Sequence, residues 1–200
     1  KFYTFQDLLE EEPVLPKTTD IPLVTGFNYI GIPVELPSGT TAKDVWQQIK
    51  DQGGEFNNIY KWNQNSQVWD FWTSSATSVN NFDIEGGKGY LIRVVTPPTG
   101  KVWKVSGNAL SQNPPFELVE GFNLINIPLP PLGYDFQTLA ADIGKIGFEV
   151  TSIIGWNKGS QTNIPWSASV PAANNLKIDP MQSYWVRVIA IESAKPPGSP

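Results

Sequence analysis

The segment Leu23-Val-Thr-Gly-Phe-Asn-Tyr-Ile-Gly-Ile-Pro-Val34 returns about 95 residues later as Leu118-Val-Glu-Gly-Phe-Asn-Leu-Ile-Asn-Ile-Pro-Leu129. The match stays collinear beyond that segment. Ile49 corresponds to Ile143, Ile59 to Ile153, Trp62-Asn63 to Trp156-Asn157, Asn80-Asn81 to Asn174-Asn175 and Ile84 to Ile178. It closes with Tyr90-Leu-Ile-Arg-Val94 against Tyr184-Trp-Val-Arg-Val188. Chance likeness between apolar segments does not keep register over such a length, so the 200-residue chain reads as two copies of one module. Each copy is long enough for a core of its own.

The expected units are 1–100 and 101–193, followed by a Pro- and Gly-rich tail or linker at 194–200. The boundary between copies admits two placements. Lys101-Val-Trp-Lys-Val105 either opens the second copy, as Lys1-Phe-Tyr-Thr-Phe5 would open the first, or closes the first copy, leaving 106–117 as the linker.

Within a copy, Gly26 or Gly121 begins a run of alternating apolar residues that Pro33 or Pro128 ends, which is a strand with a stop signal. Ala42, Val45, Trp46 and Ile49 then fall at i, i+3, i+4 and i+7, with Thr40 or Thr41 as cap and Gly53-Gly54 as terminator, which predicts one amphipathic helix. The second copy repeats it around Phe136–Ile143. Residues 58–62 and 67–72 predict a hairpin; the second copy offers 151–156 and only Ile164-Pro-Trp166. A last strand runs from Tyr90 to Val95 and from Tyr184 to Ile189. The expected fold is mainly β, of α+β type: two tandem repeats, each a small, mostly antiparallel sheet or barrel with one short helix.

Composition removes much chemistry. With no His and no Cys, the chain lacks an imidazole base or zinc ligand, a thiolate, a disulfide and an iron–sulfur site. The net charge of −5 with singly scattered Lys and Arg gives no basic stripe, which argues against nucleic acid as a partner. No apolar run approaches the roughly 18 residues of a membrane span. The first residues, Lys1-Phe-Tyr-Thr-Phe5, carry neither an initiator Met nor a signal-peptide pattern, and the chain is expected to be a piece of something longer.

Few constellations remain. Glu85-Gly-Gly-Lys-Gly-Tyr90 does not satisfy the phosphate-loop pattern, and the second copy has Asp179-Pro-Met-Gln-Ser-Tyr184 there, so a tight turn into a strand is the simpler reading. One carboxylate per loop, Glu85 or Asp179, is too few for calcium. Asp70, and Glu55 with Glu149, are thinly spread for the facing pair that a glycosidase requires. Arg93 and Arg187 fit an aromatic stack or an ion pair as well as an anion site. No catalytic residue, metal or cofactor is expected.

The eight tryptophans carry most of the functional information. Trp62 and Trp156 recur and read as core anchors, as do Trp46 on the helix stripe and Trp103. Trp69 and Trp72 lie three apart on one strand, on opposite faces, so one of them is expected at the surface. An exposed indole beside Asn63, Gln64, Asn65, Ser66 and Gln67 suits a sugar ring and its hydroxyls. Trp69, Trp72 and Asp70, with Trp166 in the second copy, are therefore the candidate ligand contacts.

Gly26-Phe-Asn-Tyr-Ile-Gly-Ile-Pro33, Gly121-Phe-Asn-Leu-Ile-Asn-Ile-Pro128, Tyr60-Lys-Trp62 with Trp69, Gly87-Lys-Gly-Tyr90 and Ser183-Tyr-Trp-Val186 together resemble a repeat module of bacterial and archaeal extracellular proteins. That module begins Gly-Trp-Asn-Leu-Ile-Ser-Leu-Pro and ends Pro-Gly-Lys-Gly-Tyr-Trp-Val. Here Phe27 and Phe122 replace its Trp, and the second copy lacks Gly-Lys-Gly. The resemblance implies an accessory, non-catalytic part of a secreted or cell-surface protein. Three functions follow as expectations: binding or display with polysaccharide as the preferred ligand; a structural spacer or surface-assembly module whose partners are neighbouring protein domains; and a carboxylate-based glycoside hydrolase.

Overall fold

The computed structural model describes residues 16–75, 80–170 and 172–191. The strand expected at 1–5 and the tail 194–200 lie outside them. Among the described residues there are two α-helices and eleven strands, and the strands form three antiparallel sheets, none closed into a barrel.

The first half contains β1 (Pro16–Pro22), β2 (Gly26–Gly31), β3 (Val34–Glu35), α1 (Ala42–Asp51), β4 (Glu55–Asn63), β5 (Val68–Thr73), β6 (Gly89–Thr96) and β7 (Val102–Ala109). The second contains β8 (Gly121–Asn126), α2 (Phe136–Lys145), β9 (Phe148–Asn157), β10 (Thr162–Trp166) and β11 (Ser183–Ala190). The two four-stranded sheets share one order, β2-β6-β4-β5 and β8-β11-β9-β10. A third sheet, β1-β7-β3, belongs to the first half.

Corresponding residues make corresponding local bonds. Thr41 caps α1 through a capping box with Asp44, and Asp135 caps α2 by accepting from the Thr138 N–H at 2.9 Å. The side chains of Asn81 and Asn175 accept from the first-turn amides of Lys43 and Gln137. Such side chains satisfy helix N–H groups that have no intrahelical partner. Asn28 and Asn123, both fully buried, each accept from one N–H (Val24 or Val119) and donate to two carbonyls (Val24 and Gly26, or Val119 and Gly121). These bonds satisfy an otherwise costly buried amide and fix the bend that enters the strand.

Strand alternation separates two faces. Inward, Ile30, Ile59, Tyr90, Ile92 and Val94 pack with Val45 and Ile49 of α1; Ile153, Tyr184, Val186 and Val188 pack with Phe136, Leu139 and Ile143 of α2. The halves thus have separate cores. Strand β7 pairs with β1 from Pro16↔Asn108 to Pro22↔Val102, and its Trp103 and Val105 are buried in the first core. Residues 101–105 consequently close the first half instead of opening the second. The sequence masked this because Trp103 lies beyond the last strand that the two halves have in common.

Candidate functional site

The outward faces of the two four-stranded sheets pack against each other. Trp62 and Trp69 of the first half meet Trp185 of the second at ring centroid distances of 4.8 and 5.2 Å, and Trp62 lies 5.2 Å from Trp69. Trp185 donates to the Tyr29 hydroxyl at 3.2 Å, and Tyr29 lies edge-on to Trp156 at 5.4 Å. Burial and that indole partner set the Tyr29 phenol, whose pKa is raised mainly by desolvation. Trp62 and Trp156 are therefore not core anchors: they stand half-buried between the halves.

Their indole N–H groups point across reciprocally. Trp62 donates to Phe122 O at 2.8 Å and Trp156 to Phe27 O at 2.9 Å. The turn glutamines add a second reciprocal contact. Gln67 accepts from Phe122 N–H (2.8 Å) and donates to Phe122 O (2.9 Å); Gln161 accepts from Phe27 N–H (2.6 Å) and donates to Phe27 O (3.1 Å). Each side-chain amide thereby imitates a neighbouring strand and covers the free edge of β8 or β2, which would otherwise be open to foreign pairing. A third contact joins Gln64 to Glu117 O and Lys158 to Pro22 O, the latter at 3.0 Å. Burial depresses the Lys158 ammonium pKa, with Asp179 opposing that effect.

Beside this contact a cleft of about 720 Å³ opens between the β4–β5 hairpin, segment 80–90 of the first half, and segment 114–126. Trp69 and Phe71 line it together with Asn63, Gln64, Asn65, Asp70, Asn80 and Asn81. Phe71 is 47% exposed and lies 6.0 Å from Tyr60, its cross-strand neighbour. Lys61 and Glu85 pair at 3.2 Å, and Lys88 and Glu117 at 2.8 Å. The Lys88 ammonium holds the Glu117 carboxyl below the usual carboxylate range.

The expected ligand contacts divide. Trp69 and Asp70 line the cleft. Trp72 and Trp166 do not: they are 4% and 2% exposed, each in the core of its own half, and Trp72 packs on Phe56 and Trp46 at 6.1 Å. Their indole faces are covered by protein, so as surface contacts both are withdrawn. Trp166 occupies the position equivalent to Trp72, not to Trp69, whose counterpart is Asn163; the spacing from Trp62 and Trp156 contained that information.

The glycine loop is packed closely against its neighbours, Gly86 on backbone and Gly87 on the Pro114 ring. A Cβ on Gly86 would meet Val34 O at 2.2 Å, and one on Gly87, at φ +75°, would meet Pro114 Cγ at 2.3 Å. Arg93 and Arg187 lie over Phe27 and Phe122 at 6.0 and 5.7 Å. Among the described residues no group of three or more acidic side chains could hold a metal ion, and no helix is long and apolar enough to cross a membrane.

No protein-family model matches the chain, and neither a curated protein nor a solved structure is significantly similar to it.

Proposed function

We propose that this chain is a non-catalytic binding module of a secreted or cell-surface protein, duplicated from one unit, that holds a segment of polysaccharide in the cleft beside the β4–β5 hairpin. The observation that carries the reading is the composition of that cleft. Trp69 and Phe71 border it alongside Asn63, Gln64, Asn65 and Asp70. Aromatic faces suit the C–H side of a sugar ring, and amides and carboxylates suit its hydroxyls. The extracellular setting rests on the module resemblance, on low charge and on the abundance of Asn, Ser, Thr and aromatic residues.

The cleft chemistry favours binding over hydrolysis. A glycosidase requires a carboxylic acid that keeps its proton near neutral pH, opposite a second carboxylate. Here Glu85 and Glu117 are each engaged by a lysine, and the Glu117 carboxyl is driven toward ionisation.

Affinity electrophoresis and pull-down on a panel of soluble and insoluble polysaccharides test the proposal. Wild-type protein is expected to be retained on at least one glycan, and Trp69→Ala, Phe71→Ala and Asp70→Ala to lose retention while Asp142→Ala, outside the cleft, keeps it. Absence of wild-type retention on every glycan sinks it. In that event the spacer reading takes its place, favoured by the use of Trp62, Trp156 and Trp185 to join the halves.

A further inference from the structure

We propose that the outward faces of the two halves form a heterotypic docking pair: the first half's face accepts the second half's face and neither accepts a copy of itself. This inference is independent of the polysaccharide reading.

The reciprocal contacts of Trp62 and Trp156, and of Gln67 and Gln161, relate the halves by an approximate two-fold axis. Contacts of that kind are blind to which half is which, since either half supplies the same donors and acceptors. Positions on the axis behave differently, because there each residue meets its own equivalent. Positions 31 and 126 are equivalent, as are 89 and 183. Gly31 pairs in register with Gly89 in the first sheet, and Asn126 with Ser183 in the second. Across the axis the two glycines face the two side chains.

The fit leaves no slack. A Cβ on Gly31 would lie 1.9 Å from Asn126 Nδ2, and one on Gly89 2.5 Å from Ser183 Cβ. Asn126 is held there by its own half, donating to Pro180 O and Gln182 O at 2.8 and 3.0 Å. The sheets are close enough for backbone contact as well: Gly31 donates to Met181 O at 3.1 Å, and Lys88 and Ile125 form a β-bridge. A second half facing a copy of itself would drive Asn126 and Ser183 into places that cannot hold one added carbon. A first half facing itself would have glycine against glycine, and Leu91 where Trp185 now touches Trp62, Trp69, Phe122 and Tyr29. One wrong pairing is rejected by overlap and the other by a void, which together give selectivity.

The test uses the whole chain carrying a protease site inserted between residues 110 and 113, nicked after purification. Size-exclusion chromatography and sedimentation then read whether the two fragments stay together. The nicked wild type is expected to run as one species of the intact mass. Gly31→Asn should weaken association by roughly 10- to 100-fold, as overpacking of a fitted contact does. Gly31→Asn combined with Asn126→Gly should recover most of that loss, since it exchanges the two sides of the axis. If Gly31→Asn yields no folded protein, the smaller exchange of Gly89→Ser with Ser183→Gly is read in the same way. Recovery in the exchanged chain supports the proposal. An exchanged chain no better than its worse single variant, a nicked wild type whose fragments separate at micromolar concentration, or either fragment forming a dimer with itself overturns it.

Discussion

Replacing Gly26 by Ala isolates the contribution of the glutamine clasp, because two separate penalties meet at this position. Gly26 has φ +100°, where any side chain strains the backbone by about 1–2 kcal/mol. Its added Cβ would also sit 2.4 Å from Gln161 Oε1, so the amide has to leave. With it go the bonds to Phe27 N–H and Phe27 O, each with a net value of about 1 kcal/mol, less where water replaces them. Gly26→Ala is therefore expected to cost about 2–4 kcal/mol in the wild-type background. In a Gln161→Ala background the clasp is already gone, and the same substitution should cost only the backbone strain, about 1–2 kcal/mol. The double-mutant cycle then yields a coupling of about 1–2 kcal/mol. Gly39→Ala is the control: its φ is +79°, but nothing lies within 4 Å of its added Cβ. It should show strain without coupling to Gln161→Ala. Urea unfolding followed by tryptophan fluorescence measures all six chains. Additivity of Gly26→Ala and Gln161→Ala within about 0.5 kcal/mol would refute the clasp.

Three further outcomes are expected. Trp72→Ala and Trp166→Ala each remove a buried indole and should destabilise by about 3–5 kcal/mol in denaturant titrations, with Trp69→Ala costing clearly less; equal losses would contradict the assigned locations. Asn28→Ala strands the Val24 N–H and two carbonyls in a buried bend and should cost about 2–3 kcal/mol, whereas Asn65→Ala, at the exposed hairpin turn, should stay within about 0.5 kcal/mol. The Asp44 carboxyl is held below the ordinary range by bonds from the Thr41 hydroxyl and amide, and that of Asp135 by the Thr138 amide and hydroxyl. Both groups take up protons on unfolding, so their stabilisation is complete above the ordinary Asp value near pH 4 and vanishes as pH falls through the depressed folded values. Thermal melts between pH 6 and pH 2.5 should show a flatter acid limb for Asp44→Asn; an unchanged limb removes the capping box as its source.

Local rules made the elements readable. Ala42, Val45 and Ile49 are the buried stripe of α1, and Thr41 is its cap. Tyr90, Ile92 and Val94 face the core while Leu91 and Arg93 face away, as their alternation required. The partner of the outward face was harder to read. Period-two patterning shows that Tyr29, Leu91 and Trp185 lie opposite the core side, but not whether solvent, a ligand or the other half covers them. The contact between the halves joins residues as much as 156 positions apart, and no local signal carries that information. Trp62 and Trp156 looked like core residues for the same reason. Gln67 and Gln161 each hold φ +55° in a hairpin turn, where Gly or Asn is commonly found. Their presence at one position of both hairpins was the available clue, since a residue costly to its own backbone has to be offset by what its side chain reaches. The cleft was half legible: the amide-rich turn and Trp69 were visible in the chain, but Phe71 and segments 80–82 and 114–117 join it only through tertiary packing.

The registration of β7 against β1 bears on how the chain is made. Ile21 lies opposite Trp103 in that sheet, and both are wholly enclosed in the first core. A nascent polypeptide that has cleared the ribosome only to residue 100 holds every strand of its half that the other half also has, yet leaves Ile21 and Leu23 uncovered. The first half can settle only after about ten more residues emerge, when synthesis has already entered the connection to its sibling. The outward face of that half waits longer still, because Trp185 on β11 emerges about 80 residues after β7, and over that stretch of synthesis an apolar sheet face stands exposed to other chains.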